Sequence, residues 1–202
     1  MVSQLVMFIL TKFQDLIQIP PHEFYKKSRD SIEDKINEKY ANKIVQKVGL
    51  CICMWDLLKA SDGLVGFGTG NVNVNVEFRM VVFRPFKGEV VAAKIKGNSP
   101  EGIYLTTEFF DNIFVPETML FEGCFYNEEE EVWVWLSGET EIFFDNGTVV
   151  HARVEKEIWQ DAMVIDEKKA KAMNGAKEAA ARTPYSIEAS MAEVGLGGVD
   201  WW

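Results

Sequence analysis

Cys51-x-Cys53 is the tightest pair of metal-ligating side chains in the sequence. Thiolates bind zinc, but a structural site needs four Cys or His ligands at short spacing. On a strand, residues two apart share a face, so both sulfurs would point one way. No second pair follows, and His22 and His151 are the only histidines. The two thiols therefore read as ordinary buried cysteines. Gly66-Phe67-Gly68-Thr69-Gly70 resembles a phosphate cradle, yet a P-loop needs a Lys and a Ser or Thr opening a helix. Here a strand pattern follows, and Asn71 stands where a dinucleotide fingerprint needs its third glycine, so the loop reads as a glycine hinge. Glu128-Glu129-Glu130-Glu131 offers carboxylates for acid–base work, but four adjacent ones repel and cannot converge on one point, which makes a solvated loop. Asn146-Gly147-Thr148 matches a glycosylation sequon, but Asn-Gly is also the preferred pair for a two-residue hairpin turn. No nucleophile elbow, His-Glu-x-x-His or Ser-x-x-Lys occurs. The residues give no reason to expect an enzyme, a metal or a cofactor.

The elements that carry these residues make two bodies of opposite charge. The chain has 202 residues, 48% hydrophobic and 26% charged, which is a globular composition and excludes disorder over its length. The longest apolar run, Leu5 to Leu10, is far short of the roughly 20 residues that span a bilayer, and no basic signal peptide precedes it. Three cysteines cannot make a disulfide framework, so a reducing compartment is expected. Residues 1–87 hold 12 Lys/Arg and 9 Asp/Glu (+3), residues 88–165 hold 4 and 16 (−12), and residues 166–202 hold 5 and 6 (−1). These sum to the net charge of −10, which argues against a surface built to coat nucleic acid. Two modules explain the split better than one.

The first module, residues 7–86, reads as a small α+β unit. Phe8–Ile19 is a strand pattern stopped by Pro20-Pro21. Phe24, Ile32, Ile36, Tyr40 and Ile44 recur at multiples of four and predict one amphipathic helix of about six turns, ended by Gly49. Leu50, Ile52 and Met54 then alternate with Cys51, Cys53 and Trp55, and after the glycine loop a strand runs from Val72 to Phe83. Arg84-Pro85-Phe86-Lys87-Gly88 is the hinge, because Pro removes a ladder donor and Gly frees the backbone.

Residues 87–165 carry short, evenly spaced strand patterns at Glu89–Lys96, Gly102–Thr106, Asn112–Val115, Val132–Leu136 and Thr148–Ile158. With a helical turn at Pro116–Leu120, they predict a five-stranded Greek-key barrel, the OB fold. Residues 166–202 form a linker and tail. Ala162–Arg182 has helix-favouring composition without a large apolar stripe, and the chain ends in Trp201-Trp202 after a glycine-rich run. Two tryptophans near a chain end present large apolar area, so residues 183–202 read as a strap docking on the barrel or on a neighbour.

The order of parts resembles the larger stalk subunit of multisubunit RNA polymerases. Four segments carry the likeness: Met7-Phe8-Ile9-Leu10 with Ile19-Pro20-Pro21, Val48–Ile52, and above all the hinge signature Val81-Val82-Phe83-Arg84-Pro85-Phe86-Lys87-Gly88-Glu89-Val90. Phe114-Val115-Pro116 through Met119–Cys124, and the ending Thr183-Pro184-Tyr185-Ser186 to Trp201-Trp202, resemble the RNA polymerase III member. In that family Met7 would be the usual start, leaving residues 1–6 as an extension. The resemblance implies a non-catalytic nuclear subunit paired with a smaller helical partner. It would sit on the polymerase core beside the RNA exit path and act in initiation at transfer-RNA and small ribosomal-RNA genes. The alternative is a free-standing OB-fold RNA-binding protein.

An OB face binds single strands by aromatic stacking beside a positive groove. Alternation sends Val91, Ala93 and Ile95 inward and Lys94 and Lys96 outward; Tyr104 also points out, and Arg153 lies on the last strand. Lys94, Lys96, Tyr104 and Arg153 are the candidate RNA contacts. Two occupants stay open for this face, nascent RNA and initiation factors, because every phosphate contact wants a cation and the module has only four.

Overall fold

The computed structural model describes residues 7–138, 140–160 and 184–201. The extension 1–6, the helix expected within 162–182 and Trp202 lie outside the described residues. The described chain divides into two compact units, 7–84 and 85–201.

In the first unit, β1 (Phe8–Ile19) is followed by a single 3-10 turn (Pro21–Glu23), α1 (Ser28–Tyr40), β2 (Lys43–Val45), β3 (Gly49–Ala60), β4 (Leu64–Val65) and β5 (Val72–Phe83). The strands form one antiparallel sheet in the order β1-β5-β3-β2. After a break at residues 61–63, β4 resumes pairing with β5 where β3 left off. Alternate residues of β5 (Val74, Val76, Phe78, Met80, Val82) face Ile32 and Ile36 of α1 and Ile17 and Ile19 of β1. Phe13 stacks on Phe78 at 5.7 Å between ring centroids, and Tyr40 closes the helix end of this core.

The helix is half as long as its spacing suggests. Pro20 and Pro21 commit the entry to a 3-10 turn, leaving Phe24 half exposed. At the other end Ala41 is extended and Asn42 sits at φ +58°, so Ile44 and Val45 enter β2 on the sheet edge. Lys43 Nζ donates to the carbonyls of Glu38 and Lys39, which satisfies acceptors the last helical turn leaves open.

In the second unit come β6 (Val90–Ser99), β7 (Gly102–Thr106), β8 (Ile113–Pro116), a 3-10 turn (Glu117–Met119), β9 (Cys124–Asn127), β10 (Val132–Ser137), β11 (Thr140–Phe143), β12 (Val149–Trp159), β13 (Tyr185–Ser190), β14 (Gly197–Gly198) and a last 3-10 turn (Val199–Trp201). The path β13-β8-β7-β6-β12 closes because β12 also pairs with β13. This is a five-strand barrel, with β14 lying along β12. Its interior holds Val91, Ala93, Ile95, Ile103, Leu105, Ile113, Val115, Val150, Ala152 and Val154.

The barrel is real, but one of its strands was assigned wrongly from sequence. Val132–Leu136 does not join it. Both edges of β10 are occupied by β9 and β11, in a separate three-stranded sheet. The vacant place is filled by β13, which runs antiparallel to β12 and parallel to β8. Its burial alternates strictly at Tyr185, Ile187 and Ala189, so the segment expected to strap the barrel from outside is one of its staves.

Candidate functional site

The pleat of β6 decides which basic residues reach solvent. Val91, Ala93 and Ile95 are buried, and Lys94 and Lys96 are exposed between them. Lys94 stands opposite Thr106 on β7 and Val149 on β12. A bulge between Ile95 and Gly97 sets Tyr104 opposite Gly97, and its ring lies 4.9 Å from that of Phe114 on β8. Arg153 sits further along β12, opposite Val90 and Ser190.

These four candidates share the barrel's outside but differ in charge state. Lys96 Nζ is 3.0 Å from an oxygen of Asp111, whose other oxygen accepts from the Thr106 hydroxyl. Those two donors, Thr106 first, hold the Asp111 carboxyl below its usual range. Arg153 is clamped between Glu193, on the segment after β13, and Glu155, with Nε 2.8 Å from Glu155 Oε1. Among the described residues the Lys94 side chain makes no ion pair or hydrogen bond. An approaching phosphate would therefore meet one uncommitted cation beside the Tyr104–Phe114 ring pair. Asp111 and Glu193 were invisible as partners in the sequence because they lie 15 and 40 positions from the cations they hold.

At the hinge, Arg84 Nη1 donates to the Lys47 carbonyl at 2.8 Å, and Phe86, Lys87 and Gly88 are exposed. Gly88 N–H donates to the Val154 carbonyl at 2.7 Å, and the next residue, Glu89, is only 2% exposed. Its backbone N–H donates to the Phe86 carbonyl at 3.1 Å, while its carboxylate accepts from the Phe86 N–H at 3.0 Å. The second carboxylate oxygen has no hydrogen-bond partner, and burial pushes this carboxyl above its ordinary range. Lys87-Gly88-Glu89 has the composition of a solvated turn, so no local pattern marks the acid as buried.

The tail places Trp201 in an aromatic cluster. Its ring meets Phe144 edge-on at 4.8 Å and lies 6.0 Å from Trp135 and 6.4 Å from Phe121. Trp135 stacks on Phe121 at 4.5 Å. The indole also covers the backbone of β14: a Cβ on Gly198 would come 2.3 Å from Trp201 Cε2. Trp202 lies outside the described residues.

In the first unit, the glycine loop is a turn and not a cradle. Gly66 N–H donates to the Asn71 carbonyl at 2.7 Å, and Phe67 at its tip is fully exposed beside exposed Leu64 and Val65. Burial pushes the Cys51 thiol up to about 11, while Cys53 is exposed on the same strand. No group of His, Cys, Asp and Glu among the described residues could hold a metal ion. No helix there is long and apolar enough to cross a membrane.

A helix-backed antiparallel sheet followed by an OB-like closed barrel defines a two-part scaffold of the SHS2-plus-OB class. Residues 14–70 match the SHS2 domain found in the N terminus of Rpb7p/Rpc25p/MJ0397, and residues 89–202 match the family described as RNA polymerase III subunit Rpc25. DNA-directed RNA polymerase III subunit rpc8 of Schizosaccharomyces pombe is 41% identical, covering 97% of this chain and all of its own length. The subunit RPC8 of Bos taurus is 39% identical over 97% of this chain and 98% of its own. The DNA-directed RNA polymerase subunit Rpo7 of Saccharolobus solfataricus is 27% identical over 53% of this chain and 59% of its own. The chain belongs to the Rpc25 (RPC8) family of RNA polymerase III subunits.

Proposed function

We propose that this chain is the larger, non-catalytic stalk subunit of RNA polymerase III. It works in the nucleus as a recruiting and positioning part, paired with a smaller helical subunit and seated on the polymerase core. The observation that carries this reading is the joint match of both units, in order, along nearly the whole length of named polymerase III subunits. A free-standing RNA-binding protein would need a positive barrel, and two of the three cations on this face are already neutralised by carboxylates. Phosphoryl transfer and its magnesium belong to other subunits. Initiation at transfer-RNA and small ribosomal-RNA genes is the step it serves, with the Lys94–Tyr104 face placed near emerging RNA or an initiation factor. The exposed Leu64, Val65 and Phe67 are the surface we assign to the core.

The test is purification of the tagged full chain under native conditions. A helical partner and the catalytic subunits should co-elute in fixed ratio. A monodisperse free protein, with polymerase III elsewhere in the gradient, would overturn the reading.

A further inference from the structure

The three-stranded sheet β9-β10-β11 has one side turned towards the barrel and one turned away from it. Trp133 points to the barrel side, where its Nε1 donates to the Ser99 carbonyl at 2.8 Å. Pairing alternates faces, so Val134 and its register partners Phe125 and Phe143 lie on the opposite side, flanked along β10 by Leu136. Val134 is buried (1% exposed), but Phe125 is 42% and Leu136 45% exposed, and Phe143 is half-buried. An apolar patch with Phe125 and Leu136 in solvent beside it is a surface that gains by being covered.

Its surroundings specify the cover. From Gly97 to Ala152 the chain has twelve Asp and Glu and no Lys or Arg. Glu141 stands directly opposite Leu136, and the β9–β10 turn carries Glu128–Glu131, all exposed. The Asn127 side chain accepts the N–H groups of Glu129 and Glu130, which holds the backbone of that turn next to the Asn127–Val132 pair, two register positions from Phe125–Val134. A nucleic acid would bring phosphates to a sheet whose own strands and turns carry no Lys or Arg, which disfavours it as occupant. Charge complementarity selects a polypeptide whose Lys and Arg flank apolar anchors. The face also lies within residues 89–202, the part that matches the Rpc25 description.

We infer that the open face of β9-β10-β11 docks a lysine- and arginine-rich segment of another polypeptide, with Phe125 and Leu136 as anchors and Glu128–Glu131 and Glu141 as its electrostatic rim. This goes beyond the stalk assignment and would hold for any assembly the chain enters.

The test places a photoreactive benzoylphenylalanine at position 125 of the tagged full chain in its own cells. After irradiation the chain is purified under denaturing conditions, and the adducts are sequenced. The expected adduct is a polypeptide segment in which Lys and Arg outnumber Asp and Glu. Changing Glu128–Glu131 and Glu141 to Gln should cut its yield about tenfold, since rim charges act mainly on encounter. The same probe at Tyr25, fully outside this face, should give a different adduct with an unchanged yield in the Gln variant. An RNA adduct, an acidic or neutral segment, no adduct while Tyr25 still reacts, or an unaltered yield in the Gln variant would each overturn the inference. Because the readout needs no co-purified polymerase, it fails independently of the stalk assignment.

Discussion

The two units are closed in different ways. The first is built from one uninterrupted stretch, residues 7–84, in which every strand meets its neighbours within that stretch and one helix covers one face. The second begins at residue 85 but is completed only by β13, which arrives after residues 161–183. The excursion leaves and returns at one point: Gln160 N–H donates to the Pro184 carbonyl, and Trp159 stacks on its register partner Tyr185 at 4.2 Å. A barrel has no spare edge, so its last stave is as necessary as its first. Among the described residues β1 and β2 are the edge strands of the first unit's sheet.

The sharpest way to break this comparison is to end the chain at residue 165. That removes β13 with Tyr185, Ile187 and Ala189, each at most 1% exposed, and unpairs β8 and β12 together. The loss should exceed the whole stability of the unit, about 5–15 kcal/mol, so its calorimetric transition disappears while that of the first unit remains. Joining Gln160 to Pro184 through Asn-Gly in place of residues 161–183 should leave the barrel folded, and the shorter connection should raise its stability by up to about 2 kcal/mol. If the excision unfolds the barrel as truncation does, the ends are not a hairpin.

Trp201→Ala removes the ring shared by Phe121, Trp135 and Phe144 and uncovers β14. A cost of about 2–4 kcal/mol is expected on the barrel transition alone, seen in denaturant melts. An equal shift in both units would mean that the two do not melt separately.

A smaller effect distinguishes the cations. Lys94→Glu should lower crosslinking of nascent RNA to the barrel severalfold, and the slope of log affinity against log salt should be shallow, about −1 to −3. Lys96→Glu should change crosslinking less, because Lys96 already answers Asp111. Equal losses would show that the ion pair opens for RNA, and no loss in either would leave the face to a protein.

The smallest effect is one of pH, on the first unit. Burial alone would raise the Asp15 carboxyl, but hydrogen bonds from Lys39 and Tyr40 outweigh it and hold the group below its ordinary range. A carboxyl depressed by folding adds stability above its unfolded value, about 4, and that stability is lost as pH falls through the folded value. Asp15→Asn should therefore flatten the fall in melting temperature of the first unit below about pH 5 and leave that of the barrel unaltered.

Much of this was legible beforehand. Period-two alternation placed Lys94 and Lys96 outside and Val91, Ala93 and Ile95 inside, because the pleat is a local property. The hinge and the run of short strands followed from Pro, Gly and spacing. The helix was overdrawn because Ile44 and Val45 fit a helical period as well as a strand, and only the turn at Asn42 separates them. The fourth stave was misassigned for a related reason: Val132–Leu136 and Tyr185–Ser190 both alternate.

The sequence alone thus determined the opposite charge of the two modules and the inward and outward residues of β6, since these depend on composition and near neighbours, while the family resemblance rested on particular motifs such as the run from Val81 to Val90. Tertiary structure decided which strands share hydrogen bonds, which cations are already paired, and that Glu89 is buried. Those depend on groups brought together across tens of residues. Backbone donors and acceptors are the same at every position, so a strand's pattern states that it will pair but not with which partner.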